Sequence, residues 1–218
     1  MKRGSLKVVS FDMNGTLTED RFIELVWWKG IPQLYSKAKN IPFEQAKEYV
    51  LQEYQKIGEG RTEWYDIKYW FQSFGLGEGW RELLKSFQHE IKPFPEVIPV
   101  LEGLSQDYQL VVTTNASQEF VDIELGAAGL KGYFRQIFSS TSDFNEVKKT
   151  PEVYLKVCHT LQIKPEEMAH IGDHRLFDFV VPRELGIRAF YLNRAGEEKG
   201  DFVVKDLGEF WNKLRSTG

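Results

Sequence analysis

Two acidic residues follow short apolar runs that are typical of buried strands in a parallel sheet. Asp12 comes after residues 7–11, and Asp173 comes after residues 168–171 and a glycine. Ligands of open α/β sheets bind outside the carboxyl ends of the strands, so both carboxylates are expected where such proteins do chemistry. Asn-Gly is also a favoured turn pair, so the segment Asp-Met-Asn-Gly-Thr at 12–16, taken alone, fits a strand-terminating turn equally well.

The sequence beyond residue 93 alternates between strand patterns and helix patterns, which predicts βαβ units and a parallel sheet. Strands are predicted over 109–113, 136–139, 168–171, 188–192 and 202–204, and helices over 96–104, 117–128, 151–161, 176–185 and 207–214. This rhythm predicts the α/β fold class.

Residues 19–92 carry helical patterns only, which predicts a small all-helical domain. Four helices are predicted: from Thr18 to near Gly30 and Pro32, from Asn40 and Pro42 through Ile57, from Thr62 to Gly75, and from about Glu78 to Ile91. The hinges are placed just after Thr16 and at Lys-Pro-Phe-Pro, 92–95, where the prolines favour an extended connection. The predicted boundaries are 1–17 with 93–218 for the core domain and 18–92 for the helical domain.

Five of the six tryptophans lie in this helical segment. Neighbouring residues of a helix point about 100° apart, so Trp27-Trp28 and Trp70-Phe71 are not expected to point inward as pairs. At least one ring of each pair is therefore predicted to cover a substrate cleft or a dimer contact.

Four motifs, in order along the chain, resemble those of the haloacid dehalogenase (HAD) superfamily of hydrolases, and of its phosphatases with a helical cap in particular. They are Asp12-Met13-Asn14-Gly15-Thr16, Thr114-Asn115, Lys148, and Gly172-Asp173 through Asp178. The resemblance implies a Rossmann-like parallel sheet core with helices on both faces and a small all-helical cap. It departs at position 14, where the phosphatases carry Asp and this chain carries Asn.

The resemblance implies that Asp12 is the nucleophile, which suits a carboxylate because its ordinary pKa near ~4 leaves it ionised at neutral pH. A phosphate ester is anionic, so its attack by a carboxylate requires a bridging cation. Asp12, Asp173 and the backbone carbonyl of Asn14 would supply hard oxygen ligands for Mg²⁺. Asp178, also in the metal set, is expected to orient metal-bound water or Lys148.

Phosphate binding is assigned to Thr114, Asn115 and Lys148. Thr113 competes with Thr114, because only one of two neighbouring strand residues can face the cleft, and the family's Thr-Asn pair favours Thr114. Lys149 competes with Lys148, and counting back from Pro151 along the family's Lys-Pro-x-Pro pattern selects Lys148. His174 and Arg175 are secondary candidates for contact with a substrate phosphate.

The amide of Asn14 can neither donate a proton to the leaving oxygen nor take one from water. General acid-base catalysis contributes about 10²- to 10⁴-fold, so a slow enzyme is predicted, one that attacks activated phosphates while hydrolysis of its aspartyl-phosphate lags. An engineered substitution at position 14, or conversion of Asn14 to Asp by deamidation, would equally account for an amide there.

Composition narrows the partners. The net charge of −4 and the lack of a basic cluster give no reason to expect nucleic acid or a membrane. A small phosphorylated metabolite is the expected partner, for a monomer or homodimer. The first apolar run is interrupted by Ser10 and Asp12, unlike a signal peptide, and the single cysteine, Cys158, excludes an internal disulfide, so a cytoplasmic location is predicted.

Two further functions remain as alternatives. A 2-haloacid dehalogenase would use Asp12 to attack a carbon that bears halide, but family members with that activity carry a Tyr-type residue in place of Asn14 and use no metal. The second is a catalytically weakened module that binds phosphometabolites or partners through its aromatic segment.

Overall fold

The structure, a computed structural model, describes residues 6–216, so residues 1–5 of the predicted core domain and residues 217–218 lie outside it. A single sheet of six parallel strands forms the core, in the order β3-β2-β1-β4-β5-β6. The strands are β1 Val8–Phe11, β2 Gln109–Thr114, β3 Gln136–Ser139, β4 Met168–Gly172, β5 Arg188–Leu192 and β6 Val203–Val204. They agree with the predicted strands to within one residue at each end.

The α-helices of the described chain are α1 Arg21–Leu25, α2 Ile31–Lys39, α3 Phe43–Ile57, α4 Ile67–Phe74, α5 Trp80–Phe87, α6 Val97–Leu104, α7 Gln118–Ala127, α8 Ser140–Phe144, α9 Pro151–Leu161, α10 Val181–Glu184 and α11 Leu207–Ser216. Short 3₁₀ and π turns extend or join several of them. The short helix α8 was not predicted.

Side-chain alternation along each strand gives the sheet two separate apolar faces. Val9 and Phe11 of β1 point into a cluster with α6, α7 and α11. Val8 of the same strand and Val111 of β2 point into a second cluster with α9 and α10. Helices therefore cover both faces of the sheet, which confirms the predicted α/β fold.

The segment between β1 and α6 is entirely helical, as predicted, and has its own apolar cluster around Tyr54, Trp70 and Phe74. The chain enters this segment at Thr18 and leaves it at Pro93, two residues joined by an antiparallel bridge. The division into two domains with boundaries at 17 and 93 stays a prediction.

The first helix of this segment continues past Gly30 and Pro32, contrary to the prediction. A π turn over Val26–Gly30 joins α1 to α2, and the N–H of Ile31 donates to the carbonyl of Val26, five residues back. Pro32 then lies in the first turn of α2, where its missing N–H costs little. The proline is thus absorbed by a change of helix type, and α2 ends at Asn40 in the left-handed region.

The predicted third helix is divided at Asp66. A 3₁₀ turn covers Thr62–Tyr65, and α4 begins only after Asp66, whose carboxylate accepts a hydrogen bond from the N–H of Lys68. Trp70 and Phe71 of α4 are both buried, with 1 % exposure each, so the expectation that one of them covers a cleft or dimer contact was wrong. The short α4 packs against several elements at once, because it contacts α5 and the preceding 3₁₀ turn.

Within residues 6–216, no helix combines the length and the apolar character needed to cross a membrane.

Candidate active site

Three aspartates converge at the carboxyl ends of β1 and β4. These strands are neighbours in register, with Phe11 opposite Ile171, and the N–H of Asp12 donates to the carbonyl of Ile171 at 2.9 Å. One oxygen from each of Asp12, Asp173 and Asp178 lies within 4.8 Å of the others. The sheet thus brings together the acids that the sequence placed after two distant strands.

The lysine at this site is Lys149, and not Lys148 as predicted. The Lys149 ammonium contacts Asp12 Oδ1 and lies 2.5 Å from Asp178 Oδ1, and the side chain is only 1 % exposed. Lys148 instead donates to the hydroxyl of Tyr65 at 2.5 Å. Counting back from Pro151 failed because Thr150 caps α9 and fixes which of the two neighbouring side chains turns into the sheet edge.

Asp178 is held by three donors. Its Oδ1 accepts from Lys149 and lies 2.9 Å from His170 Nε2, and its Oδ2 accepts from the N–H of His174 at 3.0 Å. Burial alone would raise the pKa of Asp178, but Lys149 and His170 hold it well below its usual range. Asp178 is therefore an ionised partner that fixes Lys149, in line with an orienting role more than with direct coordination of a metal.

The charge balance of the site favours a cation. Burial raises the pKa of Asp12 to about 7 against the pull of Lys149, and the carboxylates of Asp178 and Asp173 add to the rise. Burial and Asp178 likewise raise the pKa of Asp173 to about 6. Acids that repel one another and offer hard oxygen donors fit a divalent ion such as Mg²⁺, and Asp12 and Asp173 are the residues that could hold it.

Asn14 is tied to a buried acid that sequence reasoning did not identify. Its Nδ2 donates to Glu124 Oε2 at 2.8 Å, and the same oxygen accepts from the Thr18 hydroxyl at 3.0 Å. Burial raises the pKa of Glu124 to about 8 despite these two hydrogen bonds. An acid within the apolar stripe of α7, beside Phe120 and Val121, was the available sequence signal.

The phosphate-binding candidates from the second motif reach the same site. Thr114 and Asn115 border the space above Asp12, whereas the Thr113 hydroxyl is bonded to Ser10 Oγ at 2.9 Å inside the core. The structure therefore brings Thr114, and not Thr113, to the cleft. Buried polar atoms without a hydrogen-bond partner lie in or beside these loops, namely Thr16 Oγ1, Asn115 Oδ1 and Ser117 Oγ.

The loop after β1 is held by Arg194, which sequence reasoning also missed. The Arg194 guanidinium donates to the carbonyls of Gly15 (2.9 Å) and Thr16 (2.8 Å), pairs with Glu96 and stacks over the ring of Phe94. Gly15 has a φ of +71°, and a Cβ there would lie 2.2 Å from Asp173 Oδ2. The glycine of the first motif is thus required for the two loops to approach.

A cavity of about 330 Å³ lies above Asp12, between the sheet edge and the helical segment. Its lower part is formed by Asp12, Asn14, Thr114, Lys149, Asp173 and Asp178, together with the secondary candidate His174. Arg175 pairs with Glu198 and is not among the residues that line the cavity. Trp27 and Trp28 both line the upper part, as expected of rings that cover a cleft.

Comparisons with known proteins agree with this architecture. The family model described as haloacid dehalogenase-like hydrolase matches residues 6–178. The human haloacid dehalogenase-like hydrolase domain-containing protein 3 is 27 % identical over 133 residues, 57 % of this chain and 49 % of that protein. (S)-2-haloacid dehalogenase 4A of Burkholderia cepacia is 24 % identical over 144 residues, 63 % of this chain and 62 % of that protein. The matched part is less than two thirds of either curated relative.

A solved structure is similar over almost the whole length. The crystal structure of a HAD phosphatase from Thermococcus onnurineus superposes with a TM-score of 0.82 at 27 % identity, covering 96 % of this chain and 98 % of that one. Because the family model spans most of the chain and the sheet carries the expected acids, the protein belongs to the haloacid dehalogenase-like hydrolases.

Proposed function

We propose that the protein is a Mg²⁺-dependent phosphohydrolase that acts on small phosphomonoesters through an aspartyl-phosphate on Asp12. The observation that carries this proposal is the convergence of Asp12, Asp173 and Asp178 within 4.8 Å, with Lys149 fixed between two of them. The likeness to the phosphatase from Thermococcus onnurineus supports it. A cytoplasmic location remains part of the proposal.

The chain's own residues have separable tasks. Asp12 attacks phosphorus, and the leaving alkoxide departs on the opposite side. Lys149 and Thr114 bind the phosphoryl oxygens and stabilise their charge in the transition state. When bound, Mg²⁺ supplies the positive charge that lets an anionic nucleophile approach an anionic ester. Asp178 holds Lys149 in place and keeps it protonated.

Asn14 then determines the speed of turnover. Its Nδ2 is engaged with Glu124, so its carbonyl oxygen is the atom left to accept a hydrogen bond from water. An amide orients water but does not take its proton, so hydrolysis of the aspartyl-phosphate is expected to be slower than its formation.

A 2-haloacid dehalogenase activity is the second candidate, favoured by the similarity to (S)-2-haloacid dehalogenase 4A. In that reaction Asp12 would displace halide from carbon and form an ester. The cluster of three acids argues for the phosphatase, since displacement from a neutral carbon requires no cation beside the nucleophile.

The two activities separate in one experiment. Purified protein is assayed for phosphate release from p-nitrophenyl phosphate with Mg²⁺ or with EDTA, and for halide release from 2-chloropropionate. The proposal expects Mg²⁺-dependent phosphate release and a mass increase of one phosphoryl group on Asp12, both abolished in Asp12→Asn. Halide release that is insensitive to EDTA would support the dehalogenase. A protein that releases neither product, yet binds a phosphate compound equally well after Asp12→Asn, would be the weakened binding module instead.

A further inference from the structure

The cavity above Asp12 has two chemically different ends. The end at the sheet is lined by carboxylates, Lys149 and polar loop residues, which suit a phosphoryl group. The end at the helical segment is lined by aromatic rings, namely Trp27, Trp28, Tyr54, Trp64 and Tyr65, with Ile23 and Phe120. A substrate that fills the cavity must therefore place the group bonded to its phosphate among these rings.

Four of the rings form a box. The ring of Tyr54 lies 5.9 Å from those of Trp27, Trp28 and Trp64, at interplanar angles of 84°, 69° and 62°. Trp27 is supported from behind by stacking on Phe120 at 5.3 Å, and the Tyr54 hydroxyl donates to the carbonyl of Trp27 at 3.4 Å. Rings set at steep angles around one another present several π faces to a compact group, as aromatic cages for quaternary ammonium do.

The charges of the cavity favour a cation at this end. Glu59 is exposed and lines the same cavity, and Lys149, the lysine among the lining residues, is neutralised by Asp12 and Asp178. Lys148 lies 5.0 Å over the ring of Tyr65 but is not a lining residue, and Tyr65 is therefore left out of the box. A flat neutral ring would use the aromatic faces but not the carboxylate.

We propose that the box of Trp27, Trp28, Tyr54 and Trp64, with Glu59 at its edge, binds an alkylated ammonium group, so that the substrates are phosphomonoesters of amino alcohols that carry such a group. This inference rests on the proposed phosphohydrolase function, because it identifies the substrate class of the same site. The chemistry predicts discrimination by charge and not by shape alone.

Phosphocholine and 3,3-dimethylbutyl phosphate test this directly, because the second replaces the ammonium nitrogen by carbon and keeps nearly the same shape. The proposal expects kcat/KM with Mg²⁺ to be at least about tenfold higher for phosphocholine, mainly through a lower KM. Equal values, or a preference for the neutral ester, would overturn it. So would p-nitrophenyl phosphate having a lower KM than both, which would indicate a pocket for flat rings.

Binding measurements keep this proposal separate from the proposed function. Both esters are titrated by calorimetry with the Asp12→Asn variant, which needs no turnover. Charge discrimination in binding without hydrolysis by the parent protein would support the box and overturn the phosphohydrolase. Hydrolysis of p-nitrophenyl phosphate without discrimination between the two esters would overturn the box alone.

Two exposed aromatic residues of the helical segment provide matched variants. Trp28 and Tyr49 are each 42 % exposed, and Tyr49 stacks on Tyr35 outside the cavity. The ratio of the two kcat/KM values should fall at least about threefold in Trp28→Leu and in Glu59→Gln, and stay unchanged in Tyr49→Leu. An unchanged ratio in both cavity variants would contradict the proposal.

Discussion

A lysine that is buried between two carboxylates has a fixed position and a fixed charge. Burial alone would lower the pKa of Lys149, but Asp12 and Asp178 raise it well above its usual range. Lys149 therefore stays protonated at any pH where the protein is folded. It offers a charge whose direction is set before substrate binds, which is the property that electrostatic catalysis requires.

Replacing each of the two lysines in turn tests this assignment. We expect Lys149→Met to lower kcat about 10²- to 10³-fold, as loss of a charge aimed at the transition state does. It should also reduce the free energy of unfolding by about 3 kcal/mol, because Asp12 and Asp178 lose their shared partner. Phosphatase kinetics and urea unfolding measure the two effects.

Lys148→Met is the matched control, since the two residues are neighbours and carry the same charge. Its ammonium contacts Tyr65 and the ring of Phe177. We expect a change in kcat below about threefold, in the range of a surface interaction. A larger loss for Lys148→Met than for Lys149→Met would return the catalytic role to Lys148.

The contact between Asn14 and Glu124 changes what restoring an acid at position 14 would do. In Asn14→Asp, a carboxylate replaces a donor 2.8 Å from Glu124 Oε2, so two acids would share one proton or repel. We expect this single variant to gain less than about tenfold in turnover, and Asn14→Asp with Glu124→Gln to gain about 10²-fold. Steady-state kcat for the four members of the double-mutant cycle measures the coupling.

Glu124→Gln alone is the control for this cycle. It keeps an acceptor for Asn14 and Thr18 and should change kcat by less than about threefold. If Asn14→Asp lowers turnover in both backgrounds, Asn14 is not a missing acid-base residue, and the proposed cause of slow turnover is wrong.

Among the elements, the loop after β1 depends on a residue from the far side of the sheet. Arg194 follows β5, yet it holds the carbonyls of Gly15 and Thr16 while its own charge is paired with Glu96. Three loops from three strand ends are thereby locked together. The position of Asp12 and Asn14 is a property of this assembly and not of the first motif alone.

Arg194→Lys should loosen the loop, because a lysine cannot donate to two carbonyls and a carboxylate in the same fixed fork. We expect a loss of about 1–3 kcal/mol in the free energy of unfolding and a fall in kcat of about tenfold. Thermal unfolding and kinetics at saturating Mg²⁺ measure both. Arg183→Lys, a change at an arginine that stacks on Phe179 and Phe202, is the control and should leave kcat unchanged. An equal fall in both variants would show that the loop does not depend on Arg194.

Sequence patterns predicted the elements better than the contacts between them. Strand positions followed from apolar runs, and Asp12 and Asp173 followed from strand ends, because both features are local. The choice between Lys148 and Lys149 was not local, since it depends on how the turn before α9 is capped. Glu124 and Arg194 were missed for the same reason: each acts on the first motif from a distant element.

The continuation of α1 through Pro32 shows the same limit within one element. Pro and Gly are reliable signals of helix ends only when the helix keeps its α spacing. Here the π turn over Val26–Gly30 changes the hydrogen-bond partner from four to five residues back, and the helix runs on. The π turn also brings Trp27 and Trp28 to the cavity together, a placement that regular helical spacing did not predict.

Across the whole molecule, a buried polar chain joins the core of the sheet to the active site. Thr113 Oγ1 lies 2.9 Å from Ser10 Oγ, and Ser10 Oγ lies 3.0 Å from His170 Nδ1. His170 then contacts Asp178, which holds Lys149. Loss of the sheet's packing would therefore disturb the charge pair at Asp12, so activity and global stability should fall together.

The single cysteine reports on that global stability. Cys158 lies in the cluster of α9 beneath the sheet, and burial raises the pKa of its thiol to about 11 from an ordinary value of 9.0. The folded state thus holds its proton more tightly than the unfolded chain. This contribution to stability is complete below pH 9 and is lost as the pH rises through 11.

We expect iodoacetamide to label Cys158 at pH 8 only through opening of the fold, because the thiolate is the reactive form and the side chain is buried. The labelling rate, followed by mass spectrometry, should fall when Mg²⁺ is added, since an ion that binds only the folded state stabilises it. Asp173→Asn should remove most of this Mg²⁺ effect while labelling in urea stays unchanged. Rapid labelling of the native protein at pH 8, with no response to Mg²⁺, would contradict both the burial of Cys158 and the coupling of the metal site to the fold.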